Sequence, residues 1–189
     1  EATSCLQKPQ CLNTEDVVIR ATSRAQAALN RLIALADEGD TLAGLLYGMN
    51  AYERAQTFAN TAEQVRDPQF RESAVLLRMR AREQYALAQR GLAAPAAAGH
   101  PDACMTLGEI LHAGLAGARD PERAFALFRC AAIGYLDTRQ RKLVVDAYNR
   151  MGIIYGPNYV GLTEVYARIF PSEPARPWAP LAPRAGKGG

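Results

Sequence analysis

A chain of 189 residues corresponds to one ordinary domain or a short repeat array, and at 49% hydrophobic it can bury a core. Charged residues make up 22%, the globular norm, which argues against disorder for the bulk of the chain. A formal net charge of +3 is too small for the clustered basic face of a nucleic-acid-binding domain, and no apolar run approaches the roughly 20 residues that span a bilayer.

The segment 1–13 carries Cys5, Pro9 and Cys11 and reads as an N-terminal arm. Thr14 is a good N-cap, and Glu15 and Asp16 suit the first turn of a helix. Apolar residues follow at helical spacing from Val17 to Leu32, Ile33 and Ala36, and Gly39 stops the run. A second helix is predicted from Asp40 through Leu42, Leu45, Leu46, Met49 and Tyr52 towards Val65. The Asp67-Pro68 step breaks it, because the residue before proline avoids the α region while proline suits a new first turn. The third helix is expected over 68–90, with Phe70, Ala74, Leu77, Ala81, Tyr85 and Ala88 on its buried stripe and with Gly91 and Pro95 ending it. Asp120-Pro121-Glu122 reads as a further helix start. Almost nothing alternates with a period of two, so the expected fold class is all-α, its helical domain running over 14–170.

From Pro171 the composition changes: prolines recur at 174, 177, 180 and 183, and the chain ends in a Gly-Lys-Gly-Gly run. Proline lacks the amide that a helix interior needs, so 171–189 is expected as an extended, Pro-rich tail. It holds the only tryptophan, Trp178. Packing back on the last helix through Trp178 and presenting a polyproline ligand are both open, the first favoured.

Internal repetition is visible at three places. Ala36-Asp37-Glu38-Gly39 is followed by Ala43 and by Tyr47-Gly48; Ala96-Ala97-Ala98-Gly99 by Ala103 and by Leu107-Gly108. A third copy runs Ala131-Ala132-Ile133-Gly134, then, after a longer connection, Ala147 and Met151-Gly152. The expected physics is a glycine closing one helix in the left-handed conformation and a small alanine admitting the next. The later glycine then marks a helix crossing, since glycine in a helix costs about 1 kcal/mol against alanine and needs a packing reason.

On these residues the stretch from Asp102 to Gly134 resembles a Sel-one-like repeat, a relative of the tetratricopeptide repeat. The match rests on Ala103, Leu107-Gly108, Leu111, Gly114, Gly117, Asp120, Ala124, Phe128, Ala131-Ala132 and Gly134; the copies near 36–50 and 147–156 are partial. The resemblance implies an irregular α-solenoid of antiparallel helix hairpins. The four cysteines allow three connectivities, and free Cys104 and Cys130 buried as small hydrophobes are the alternative. Within the repeat, Cys104 opens one helix and Cys130 closes its antiparallel mate, which favours Cys104–Cys130, with Cys5–Cys11 stapling the arm. Bridging needs Cα atoms roughly 4.4–6.8 Å apart, and loop closure adds about 3 kcal/mol in the chain-entropy model. Disulfides place the chain in an oxidising compartment, so it is expected in the bacterial periplasm or outside the cell, with a signal peptide removed ahead of Glu1.

Catalytic candidates are scarce. No nucleophile elbow, phosphate loop, dinucleotide fingerprint or zinc-protease motif occurs. Glu15-Asp16 and Asp37-Glu38 are adjacent, and neighbours on a helix point apart. His100, Cys104 and His112 lack a fourth ligand for structural zinc. The reading is therefore no enzyme, no cofactor, no metal, and no nucleic-acid or small-molecule partner. Arg66, Arg71, Arg78, Arg80, Arg82 and Arg90 form a solvated face or a surface for an acidic partner, and Arg139, Arg141 and Lys142 sit in the longer connection. Tyrosine gives large rigid contact area, and Tyr159 stands as a surface anchor beyond the Gly156-Pro157-Asn158 turn. The partner-binding residues expected are Tyr159, Tyr166, Arg78, Arg82 and Trp178. The expected function is a non-catalytic protein–protein interaction module of the cell envelope. It would act by steric binding, as an immunity protein against a toxin or an accessory of a secretion system. The alternative is a structural subunit of a larger envelope assembly that docks through its Pro-rich tail.

Overall fold

The computed structural model describes residues 9–156, 160–169 and 171. Through them run α1 (Pro9–Asp37), α2 (Thr41–Gln64), α3 (Arg71–Ala97), α4 (Pro101–Ala113), α5 (Pro121–Asp137), α6 (Arg141–Tyr155) and α7 (Val160–Ile169). A short 3-10 turn, Pro68–Phe70, precedes α3, and no strand occurs among the described residues, as the spacing predicted. Asp40 caps α2 by accepting a 2.8 Å bond from the Ala43 amide. Asp120 caps α5 through the Arg123 amide at 3.0 Å. Pro101 and Pro121 open their helices at positions where a missing amide is no loss. Pro9 does the same for α1, which therefore begins five residues before Thr14 and takes in residues 9–13 of the expected arm.

One turn recurs three times. Gly39, Gly99 and Arg139 adopt left-handed φ values of 92°, 84° and 59°. Their amides bond Ala36, Ala96 and Leu136 carbonyls at 3.0–3.1 Å, and the next amides, of Asp40, His100 and Gln140, reach Leu35, Pro95 and Tyr135 carbonyls at 2.9–3.0 Å. The same bonds satisfy the last carbonyls of α1, α3 and α5 and turn the chain directly into α2, α4 and α6. The third turn corrects the expected register. Gly134 does not close a helix; it lies inside α5, where an added Cβ would sit 2.9 Å from Pro101 Cβ. The connection shortens to residues 138–140, so Arg141 and Lys142 belong to α6 and not to a loop insertion. Ala147 and Gly152 then stand one helical turn later than Ala43 and Gly48 do in theirs.

A second correction concerns α3, which passes through Gly91 and Pro95 to Ala97. Gly91 is a contact point: an added Cβ would lie 3.1 Å from Gly48 Cα. Pro95 leaves the Gly91 carbonyl without its usual helical donor. That oxygen is packed against α2, 2.7 Å from where a Cβ at Gly44 would be. Between α2 and α3 small buried residues recur every seven positions, Gly48, Ala55 and Ala62 on α2 and Ala74, Ala81, Ala88 and Pro95 on α3, with Leu92 set against Gly48. Small seams let helix axes approach closely, with the heptad repeat keeping them in register.

The larger core residues gather elsewhere. Leu92, Ile110, Phe128, Val144, Tyr148, Met151, Leu162, Val165 and Tyr166 are buried in one cluster spanning the second half of α3 and α4 to α7. The pairing of Cys104 with Cys130 ties the first turn of α4 to the middle of α5, which runs seven residues past Cys130 where the sequence had Cys130 closing it; the Cα atoms are 6.0 Å apart, inside the range disulfides require. Cys5, and the side chain of Cys11, lie outside what is described, so the expected Cys5–Cys11 bridge does too.

Candidate interaction surface

Helix lengths create an overhang. At 1.5 Å per residue, the 27 residues of α3 extend about 40 Å and the 13 of α4 about 20 Å. Joined by the tight turn at Gly99, α4 runs back along the last half of α3 only. The first half of α3 projects past α4, packed on α2 through the alanine seam. Along this projecting half, Val75, Leu76 and Met79 are more than half exposed, and Phe70 at its start is exposed as well, although the spacing had placed Phe70 on the buried stripe. Arg78 and Arg82, two of the expected binding residues, stand exposed beside that strip. The sequence carried a signal for it: three large apolar side chains fall off the Ala74–Ala81–Tyr85–Ala88 stripe that α3 buries.

The second helices of the three turns lie side by side. Thr106 on α4 meets Met49 on α2, its hydroxyl 3.5 Å from the thioether sulfur, and one turn on the Tyr52 hydroxyl donates to Glu109 at 2.5 Å. The same carboxylate pairs with Arg150 of α6 at 2.6 Å, and the Arg150 guanidinium sits 5.9 Å from the centre of the Phe128 ring. Tyr52 also meets Tyr85 edge to face at 5.8 Å. Burial, first, and then the bond to Glu109 push the Tyr52 hydroxyl well above its ordinary pKa; burial also raises Tyr85. Tyr135 is raised by burial and by its 2.8 Å bond to Asp102. Tyr52 and Tyr135 stay protonated across the physiological range and act as donors that lock helices together. Nothing in the sequence marked Tyr52, Glu109 and Arg150 as a set, since the partners are 57 and 41 residues apart and their pairing depends on helix register.

The other expected residues fall apart from α3. Tyr166 is 1% exposed and packs against Tyr148 with ring centres 6.1 Å apart, so it serves the core and presents no surface to a partner. Tyr159 and Trp178 lie outside the described residues. His100 and His112 each bury a ring Nδ1 that has no hydrogen-bond partner among the described residues. Neither joins Cys104 in a metal set: Cys104 is bonded to Cys130, and no group of three ligating side chains assembles among the described residues. No described helix is long and apolar enough to cross a membrane.

Two concavities lie beside the connections between helices. One of about 330 Å³ is lined by Leu42, Leu45, Pro95 and His100. A more polar one, about 420 Å³, lies where α3 meets the α4–α5 loop, lined by Gln89, Leu111, Gly117, Arg119 and Arg123 among others. Compared with known proteins, the chain matches no protein-family model, no curated protein and no solved structure.

Proposed function

We propose that this chain is a non-catalytic protein–protein interaction module, an irregular α-solenoid of helix hairpins whose docking face is the outer side of α3. The observation that carries the reading is the strip of Val75, Leu76 and Met79, exposed on a projecting helix beside Arg78 and Arg82. Removing large apolar side chains from water is the main drive for association, and a strip left bare beside arginines fits a partner's surface. The hairpin reading is supported by the threefold recurrence of the left-handed turn and by the contacts joining α2, α4 and α6. The Cys104–Cys130 pair supports an oxidising compartment, in keeping with a cell-envelope or exported protein. In this reading the module acts by covering a partner surface, as an immunity protein or a secretion-system accessory does.

The test is recovery of partners on the tagged, natively exported chain, identified by mass spectrometry, beside a Leu76→Asp/Met79→Asp variant. A stoichiometric partner retained by the wild type and lost from the variant is the expected outcome, with single alanine changes at these sites costing about 2 kcal/mol of binding or more. A partner held equally by both chains would place the docking face elsewhere.

A further inference from the structure

The α4-facing side of α3 continues beyond α4. Gln89 belongs to that side, lining the groove beneath the α4–α5 loop together with Leu111 of α4. Stepping back along the same stripe by helical spacings of seven, four and seven gives Arg82, Arg78 and Arg71, all exposed. From Arg71 to Gln89 is 18 residues, five whole turns and about 27 Å. At the Gln89 end the groove of about 420 Å³ adds Arg119 from the loop and Arg123 from the first turn of α5, both exposed. The arm and the loop therefore meet in a corner with arginines on both walls.

Two of the carboxylates nearby are engaged: Glu83 pairs with Arg80 at 3.4 Å, and Asp120 caps α5 through the Arg123 amide. Glu72, beside Arg71, and Glu122, beside Arg123, are exposed, so five arginines stand against these two carboxylates. Guanidinium groups recognise carboxylates by paired, planar hydrogen bonds, and Val75 and Met79 along the track offer apolar contact as well. The apolar strip favours a polypeptide over a nucleic acid, whose phosphates would gain nothing from it.

We infer that this basic corner, Arg71, Arg78 and Arg82 on α3 with Arg119 and Arg123 across the Gln89 groove, binds an acidic, partly apolar segment of the partner protein. The inference rests on the reading of α3 as a docking face and adds the second wall and the chemistry of what docks. The probe is a fluorescein-labelled peptide of about 18 residues, long enough for five helical turns, built of glutamate and leucine. Its anisotropy is titrated with the full, oxidised chain at low and at physiological ionic strength. Arg78→Glu/Arg82→Glu tests one wall and Arg119→Glu/Arg123→Glu the other, with Arg24→Glu/Arg31→Glu on α1 as the control and circular dichroism confirming the fold.

The expected result is salt-sensitive binding that each wall's reversal weakens about tenfold or more and that the control leaves unchanged. Sensitivity to the α3 pair alone would overturn the corner while leaving the α3 docking face in place. No binding of the peptide, when the natural partner is still lost from Leu76→Asp/Met79→Asp, would overturn the acidic class and spare the face. Tighter binding of an oligothymidylate of equal charge than of the peptide would overturn the polypeptide assignment.

Discussion

Gly48 and Gly108 each stand where a helix crossing leaves no room for a side chain. A Cβ at Gly48 would lie 2.6 Å from Leu92 Cγ, and one at Gly108 would lie 2.7 Å from Phe128 Cε1. Alanine normally stabilises a helix by about 1 kcal/mol relative to glycine, but overpacking costs about 1–3 kcal/mol, and here the obstacles are themselves fully buried. Gly48→Ala and Gly108→Ala are therefore expected to lower stability in urea titrations, while Gly117→Ala, with nothing within 4 Å, leaves it within about 0.5 kcal/mol. Equal stability for all three variants would mean that the crossings relax freely. The tyrosine hydroxyls make a second residue-level prediction. Tyr52 and Tyr135 have folded pKa values raised above the ordinary 10.0 by burial and by their carboxylate partners. A raised folded pKa means that the folded state holds its protons longer than the unfolded chain does. Their contribution is thus complete below pH of about 10 and is lost as pH rises beyond it. Unfolding free energy followed between neutral pH and strong alkali should fall above that point, and the fall should be shallower in a Tyr52→Phe/Tyr135→Phe variant. An unchanged slope would remove these two groups from the account.

The α2–α3 pair shows at the level of elements how small residues decide an interface. Ala81 faces the seam with 4% of its surface exposed, whereas Met79, two residues away, faces solvent. Ala81→Leu is expected to cost about 1–3 kcal/mol by forcing the helices apart, and Met79→Leu to change stability by less than about 0.5 kcal/mol. Thermal melts of the two variants separate a tight seam from a loose one, since a neutral Ala81→Leu would show slack between the helices. Spacing alone located this pair well: Asp40 as cap, the break at Asp67-Pro68, and Ala74, Ala81, Tyr85 and Ala88 on the buried side all stand where the sequence puts them. It misled at Gly91 and Pro95, because breaker residues inside a helix are read as its end unless the partner helix is known. Gly91 is needed for the close approach of Gly48, and the Pro95 ring is itself buried between helices. Gly134 misled for the same reason, and Arg139 gave no sign that a non-glycine residue would take the left-handed turn. Of the residues expected to bind, Arg78 and Arg82 stand exposed, as charge on a helix stripe predicts. Tyr166 does not, because the residue type that makes a good surface anchor also makes a good core.

Over the whole molecule, sequential helices pack on one another from α1 to α7, and α2 also reaches α4 and α5 reaches α7. The larger core residues sit in one cluster between Ala51 and Tyr166, and the projecting ends of α2 and α3 beyond it rely on alanine contacts. Such an arrangement predicts two levels of stability, with the arm opening locally at lower free energy than the body. The Cys104–Cys130 bond, closing a loop with a sequence separation of 26, allows the two to be told apart. In the chain-entropy account a closed loop of that size destabilises the unfolded state by about 3–4 kcal/mol. That constraint acts only on openings that release the loop. Replacing both cysteines with alanine should therefore lower the global unfolding free energy by about that amount. Hydrogen exchange should show the loss in the slowest amides of α4, α5 and α6, and no change in the amides of residues 56–64 and 71–80, which exchange by local opening of the arm. Reductant should reproduce the effect in the wild type and do nothing to the variant. An equal loss of protection in arm and body would mean that the chain unfolds as a single unit. A loss confined to α4 and α5, with the global free energy unchanged, would mean that the bond steadies the native hairpin and not the unfolded chain.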